Sequence, residues 1–376
     1  MTVSFIDLAA EGVKGLRPYQ PGKPITELER EYGIKNAVKL ASNENPMGAS
    51  PLAIEAAGNA LKEVEFYPDG GGFELRAALS RWHDIDPVQI TLGNGSNDVL
   101  DLIGRVFLTP DRESIYSAHA FVVYHLTTLA CGATGRVAAA HDGSRGPAFG
   151  HDLEAMRALI NDKTAVIYIA NPNNPTGTWL KRDELEAFIS AVPPRVVVVI
   201  DEAYIEYVDE PEFPDSAQWL KKYPNLVVCR TFSKAYGLAG LRVGYALSGP
   251  EVADLLNRVR QPFNVNAPAM AAACAALGDQ EHIKRAVDEN RRGMAVLAAA
   301  FAELGLNHIP SVGNFVSVDF GRPAGPIYEG LLREGVIVRP VANYGMPNHL
   351  RITVGSGEQN VRVVNALRKV LAGQTE

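Results

Sequence analysis

Two runs in the middle of the chain, Ala165 to Ala170 and the one that Arg195 opens and Ile200 closes, place apolar side chains side by side with no polar alternation. A strand with one face in water alternates. A strand buried on both faces does not, and sheets covered on both faces belong mostly to α/β proteins with parallel strands. Gln89 to Leu92, Leu226 to Cys229 and Val243 to Leu247 extend the pattern. Between these runs the period becomes helical, with Val99, Leu102, Ile103, Val106 and Phe107 on one face and a similar stretch from Leu180 to Ala191. The spacing therefore predicts an α/β unit, a mainly parallel sheet between two layers of helices.

After about Gln261 the texture changes. Ala267 to Leu277 and Ile283 to Leu304 read as helices, and Phe315 to Phe320, Val336 to Val338 and Arg351 to Val354 as short strands. A chain of 376 residues has room for two domains. The first 45 residues have few periodic signals and three early prolines, Pro18, Pro21 and Pro24, which predicts an arm lying against something else. The expected division is an N-terminal arm over 1–45, a large domain over 46–265 and a smaller α+β C-terminal domain over 266–376.

Acidic side chains outnumber basic ones, for a formal charge of −7, which disfavours nucleic-acid backbones and anionic membrane surfaces as partners. Any anionic ligand must be met locally. Cys131, Cys229 and Cys274 are odd in number, far apart and in no metal-ligand spacing, so no metal site and a reducing compartment are expected. No signal peptide is legible, and the longest apolar run, Ala269 to Leu277, falls well short of the ~20 residues of a membrane span. The expectation is a soluble cytoplasmic protein.

Three of the strand-like runs end in polar residues for which a core has no use. Ala170 leads into Asn171-Pro172-Asn173-Asn174-Pro175-Thr176-Gly177, Ile200 into Asp201-Glu202-Ala203-Tyr204, and Cys229 into Arg230-Thr231-Phe232-Ser233-Lys234. Each alone has an ordinary structural explanation: a turn, a helix cap, a stretch of surface. Together they have a common destination, because ligands of open α/β sheets bind beyond the carboxyl ends of the strands.

The segments 171–177, 201–204 and 233–244 (Ser-Lys-Ala-Tyr-Gly-Leu-Ala-Gly-Leu-Arg-Val-Gly) resemble those of fold-type I pyridoxal-phosphate aminotransferases. The separations also suit that family, 27 residues from Asn174 to Asp201 and 33 from Asp201 to Lys234. Leu40 to Pro46, Tyr67 to Gly70, Gly93 to Asn97 and Leu350 to Gly355 resemble the histidinol-phosphate aminotransferase branch, so the likeness spans nearly the whole chain.

The resemblance implies roles that the residue types can perform. Lys234 would form a Schiff base with the cofactor aldehyde and, once released, move a proton at the substrate carbon. Asp201 would face the pyridine nitrogen and keep it protonated, so that the ring acts as an electron sink, while Tyr204 and Asn174 would donate to the ring oxygen. Lys234, Asp201 and Tyr204 are thus the expected catalytic set. Gly95, Ser96 and Asn97, opening a helix near Asp98, would bind the cofactor phosphate with Ser233, Arg242 and Thr231. Asn97 stands where relatives often carry Asp. Phe121 takes the ring-stacking position, and Tyr67 would reach the phosphate of a neighbouring subunit, which implies a homodimer with shared sites.

Substrate residues follow in the same way. Arg351 is the expected carboxylate clamp, and its planar guanidinium suits a phosphate as well. Arg339, Tyr19 and Asn45 are the further candidates. The implied reaction, a step of histidine biosynthesis, exchanges L-histidinol phosphate and 2-oxoglutarate for imidazole acetol phosphate and L-glutamate. An aromatic amino-acid aminotransferase is the alternative, since phenyl and imidazole rings differ little to an apolar pocket. A phosphate-bearing decarboxylase and a silent cofactor-binding regulator stand further off; the intact Lys234 and the lack of a fused DNA-binding domain oppose the latter.

Overall fold

The computed structural model describes residues 4–17 and 22–373. Its first strand, β1 (Val38–Lys39), is short and pairs in parallel with a strand far along the chain. The main sheet follows: β2 (Ile90–Gly93), β3 (Glu113–Ser117), β4 (Thr134–Ala138), β5 (Thr164–Ala170), β6 (Val197–Asp201), β7 (Leu226–Thr231) and β8 (Gly244–Ser248). Their order is β2-β8-β7-β6-β5-β3-β4, and β8 alone runs against the direction of the other six. The expected mainly parallel sheet is therefore present.

Successive side chains of the central strands enter two different cores. Ile167, Ile169, Val198, Ile200, Leu226 and Val228 pack in one cluster with Leu75, Leu185 and Ala273, whereas Val166, Tyr168, Val197, Val199, Val227 and Cys229 pack in another with Val99, Leu102 and Leu256. The unalternating runs are explained by helices on both faces. Each such side chain, fully buried, contributes roughly 1.5–3 kcal/mol.

Two strands carry no apolar signal in the sequence, yet form. In β3 two of the polar residues are satisfied internally: Ser114 Oγ bonds Thr128 Oγ1 at 2.7 Å, and Glu113 is held by Arg136 and Asn161. β4 is the edge strand and is largely exposed.

The remaining strands are β9 (Asn307–Ile309), β10 (Phe315–Asp319), β11 (Val336–Ile337), β12 (Arg339–Pro340) and β13 (His349–Thr353). The last two join β10 and β9 in an antiparallel sheet of order β12-β13-β10-β9. The single strand expected over Val336 to Val338 divides: β11 pairs with β1, then the chain changes partner and β12 pairs with β13. Helices Gln280–Glu303, Gly325–Arg333 and Gly357–Ala372 cover this sheet through Leu297, Phe301, Ile327, Leu331, Val363 and Leu367. Leu40 is buried among the same side chains, so the segment entering the site is anchored to the C-terminal part of the chain. Ala267–Gly278 instead packs on Pro51–Ala60 and against the core of the main sheet. Among the described residues no helix is long and apolar enough to cross a membrane.

What positions the site is the register of the central strands. Ala170, Asp201 and Cys229 are direct partners across β5, β6 and β7, so the three polar segments leave the sheet side by side.

Candidate active site

Those segments open into one cavity of about 420 Å³. Asp201 closes its floor. Oδ2 accepts a hydrogen bond from the Tyr124 hydroxyl at 2.9 Å, and Oδ1 has no hydrogen bond of ordinary geometry although the carboxyl is buried. Burial, opposed by the Tyr124 bond, raises its pKa to about 6. A buried acceptor left without a donor is costly. A protonated ring nitrogen would supply a donor and a compensating charge there, so this residue fits pyridoxal phosphate.

Lys234 follows β7, and its Nζ donates to the Ser42 carbonyl at 3.1 Å while lying 5.7 Å from the Tyr204 ring centre. Burial, then the charges of Arg351 and Arg242, lower its pKa to about 8; Glu44 and Asp201 oppose them. The free amine, the nucleophilic and proton-accepting form, is thus brought close to neutral pH.

The Tyr204 hydroxyl accepts from Asn43 Nδ2 at 2.9 Å, which leaves its own hydrogen available for a ligand. Burial holds that phenol up at about 12, hence neutral. Asn43 has φ 56° and is fixed by Thr353, whose Oγ1 accepts from its N–H at 2.9 Å and donates to its Oδ1 at 3.1 Å. Asn174 accepts from Arg351 through Oδ1, leaving its NH2 as donor.

Opposite them, helix Ser96–Phe107 points its N-terminus at the cavity. It starts at Ser96, slightly before the expected position near Asp98, whose carboxylate is occupied by Asn94 N–H and Asn264 Nδ2. Gly95 has φ 85°, and a Cβ there would stand 2.3 Å from Arg242 Nη2. Glycine lets the guanidinium lie against the helix terminus. Arg242 in turn donates to Ser233 Oγ and the Ala239 carbonyl, at 3.3 and 3.1 Å. With Ser96, Asn97, Thr231 and Ser233 on the wall, backbone N–H groups, hydroxyls and one fixed cation converge where a phosphate group would sit.

Arg339 and Arg351 line the far side, with Tyr344 beside them. They are direct cross-strand partners between β12 and β13. The Arg351 fork is held from behind by Asn174 and by the Ala41 carbonyl at 2.6 Å, over the Phe315 ring. Phe121 contributes to the wall from the cap of helix Val122–Ala130, edge-on to Tyr124.

Two candidates do not line the cavity, and a third cannot be placed. Asn45 spends its amide on the Ala235 carbonyl and the Met47 N–H, bracing the loop behind Lys234. Tyr67 is 83 % exposed and stacked on Phe263. Tyr19 lies outside the described residues. Sequence reasoning assigned no role to Tyr124, Asn43 or Tyr344. Asn43 sits inside a segment that carried the family likeness, but nothing local marks Tyr124 as the partner of a residue 77 positions on.

A lysine, a carboxylate and a phenol at the carboxyl ends of a doubly covered sheet, facing a helix N-terminus, suit a pyridoxal-phosphate enzyme, and the chain belongs to the class I and II aminotransferase family, which residues 35–367 match. Its relatives narrow this. The chain is 58 % identical over 369 residues to histidinol-phosphate aminotransferase 2 of Methylococcus capsulatus, covering 98 % of this chain and all of that one. It is 57 % identical over 370 residues to histidinol-phosphate aminotransferase 2 of Pseudomonas aeruginosa, covering 98 % and 99 %. Among solved structures, histidinol-phosphate aminotransferase from Sinorhizobium meliloti in complex with pyridoxal-5'-phosphate superposes with a TM-score of 0.88 at 29 % identity, over 97 % of this chain and 98 % of that one.

Proposed function

We propose that this chain transfers the amino group of L-histidinol phosphate to 2-oxoglutarate, giving imidazole acetol phosphate and L-glutamate in histidine biosynthesis, with pyridoxal 5'-phosphate as cofactor and a ping-pong order of substrates. The names and identities of its relatives support this, and one observation carries it to the substrate. Arg339 and Arg351 stand opposite each other on adjacent strands and both face the cavity. Two guanidinium groups side by side on a cavity wall suit a dianion better than a single carboxylate, and a phosphate monoester is an anion of suitable charge and size.

When bound, pyridoxal phosphate supplies an aldehyde that exchanges amino groups and a ring that accepts electrons. Lys234 carries the proton to and from the amine-bearing carbon. Asp201, steadied by Tyr124, holds a proton on the ring nitrogen, and Tyr204 and Asn174 donate to the ring oxygen. Ser96, Asn97, Thr231, Ser233 and Arg242 hold the cofactor phosphate. Arg351 takes the α-carboxylate of glutamate in one half-reaction and the phosphate of histidinol phosphate in the other, and Arg339 answers the additional charge of the phosphate.

The working unit is a homodimer. Leu61, Val64, Phe66, Tyr67, Phe73 and Phe263 expose large apolar side chains, a composition suited to an interface, and Tyr67 is the residue assigned to the partner's phosphate site. Three unpaired cysteines accord with a cytoplasmic setting. Turnover with histidinol phosphate against turnover with phenylalanine, each with 2-oxoglutarate, tests the reading. A clear preference for phenylalanine replaces it with an aromatic aminotransferase.

A further inference from the structure

On the substrate reading above, the two arginines meet what the substrates share, an anionic head. They leave the distal ends, an imidazole in one substrate and a carboxylate in glutamate and 2-oxoglutarate, to the same stretch of wall. These ends make opposite demands. Imidazole offers an N–H donor and gains positive charge near neutral pH, whereas a carboxylate only accepts and is always negative. A wall residue of fixed sign favours one substrate and repels the other.

Among the described residues lining the cavity, two bear carboxylates, Asp201 and Glu44. Asp201 is committed on the floor with Tyr124. Glu44 follows Ser42 and Asn43, the residues that receive Lys234 and fix Tyr204, so it belongs to the segment closing over the reacting groups. Its charge is felt at Lys234. Glu44 Oε1 accepts from Lys39 Nζ at 2.8 Å, with 47 % of its side chain and 23 % of the lysine's exposed. The backbone beneath this pair is rigid: β1 is clamped to β11, and Asn314 Nδ2 donates to the Asn43 carbonyl at 3.0 Å. Lys39 does not line the cavity itself but reaches it through Glu44, and a partly exposed pair of this kind holds weakly, so either member can be drawn to a better partner.

We propose that the Lys39–Glu44 pair is a two-way selector for the distal end of the substrate. Glu44 accepts the imidazole N–H of histidinol phosphate. When glutamate or 2-oxoglutarate enters, Lys39 pairs with the distal carboxylate and Glu44 turns to solvent. An ion pair that merely decorates the rim gives a different pattern on substitution, because it treats both substrates alike.

The test follows each half-reaction of the holoenzyme separately, by the absorbance change of the bound cofactor in single turnovers with histidinol phosphate or glutamate. Glu44→Gln should weaken apparent affinity for histidinol phosphate about 5–10-fold, as for loss of one charge-assisted hydrogen bond in a partly wet site, and leave glutamate unchanged or tighter. Lys39→Gln should do the reverse. Lowering the pH toward 6, where the ring charges, should widen the gap between wild type and Glu44→Gln for histidinol phosphate alone. Parallel losses for both substrates, or no change in either variant, overturn the selector while leaving the substrate reading intact. A wild type that does not turn over histidinol phosphate overturns both.

Discussion

The Tyr124 hydroxyl donates to Asp201 Oδ2 at 2.9 Å, and the other oxygen of that buried carboxylate has no hydrogen bond of ordinary geometry. On the proposed reading one oxygen orients the carboxylate and the other meets the ring nitrogen. Asp201→Asn keeps the shape but removes the charge that holds a proton on the ring nitrogen. Single-turnover amino transfer from glutamate should fall by at least ~10²-fold with the thermal melt preserved. Tyr124→Phe should give a smaller loss, because the carboxylate survives without its brace. Near-normal rates in Asp201→Asn with cofactor bound remove this residue from its role.

Lys234 has its pKa lowered from an ordinary 10.5 to about 8, so the fraction of free amine rises as pH passes through about 8. In cofactor-free protein the rate of pyridoxal phosphate attachment should climb through that pH and level off above it. Arg351 is one cause of the lowering, so Arg351→Ala should move the midpoint upward. Borohydride reduction followed by peptide mapping should find the label on Lys234, and a label on another lysine refutes the assignment.

The two arginines should separate by substrate. Arg351→Ala removes a clamp used in both half-reactions and should damage both. Arg339→Ala should raise the KM for histidinol phosphate more than that for glutamate, by about 1.5–3 kcal/mol, the range for hydrogen bonds to charged groups. Equal effects on the two substrates from Arg339→Ala contradict the phosphate role.

Tyr67 is exposed and does not line the cavity of its own chain, and on the proposed reading it serves the partner's site. Mixing Tyr67→Ala with Lys234→Ala should restore activity through hybrid dimers that contain one intact site. Strict monomers by light scattering at assay concentration, or no recovery after verified subunit exchange, count against the shared site.

The sequence by itself determined the central strands of the sheet and the polar segments that leave their carboxyl ends. Runs such as Val197–Ile200 can be stable only between two helical layers, and polar clusters directly after such strands have nowhere to go but the crevice at their carboxyl ends. Those are local consequences of burial, and local pattern carries them. The strand Glu113–Ser117 was illegible because Ser114 and Glu113 are satisfied by residues from other elements, Thr128, Asn161 and Arg136, and Thr134–Ala138 because it is a largely exposed edge strand with no apolar face to bury. The same reason hid the bracing of the site. That Tyr124 orients Asp201, that Asn43 fills the acceptor side of Tyr204, and that Arg339 meets Arg351 across a ladder are decided by which segments the tertiary structure brings together. A hydrogen bond depends on distance and direction in space, and separations of 77 and 161 residues along the chain leave no periodic trace of it.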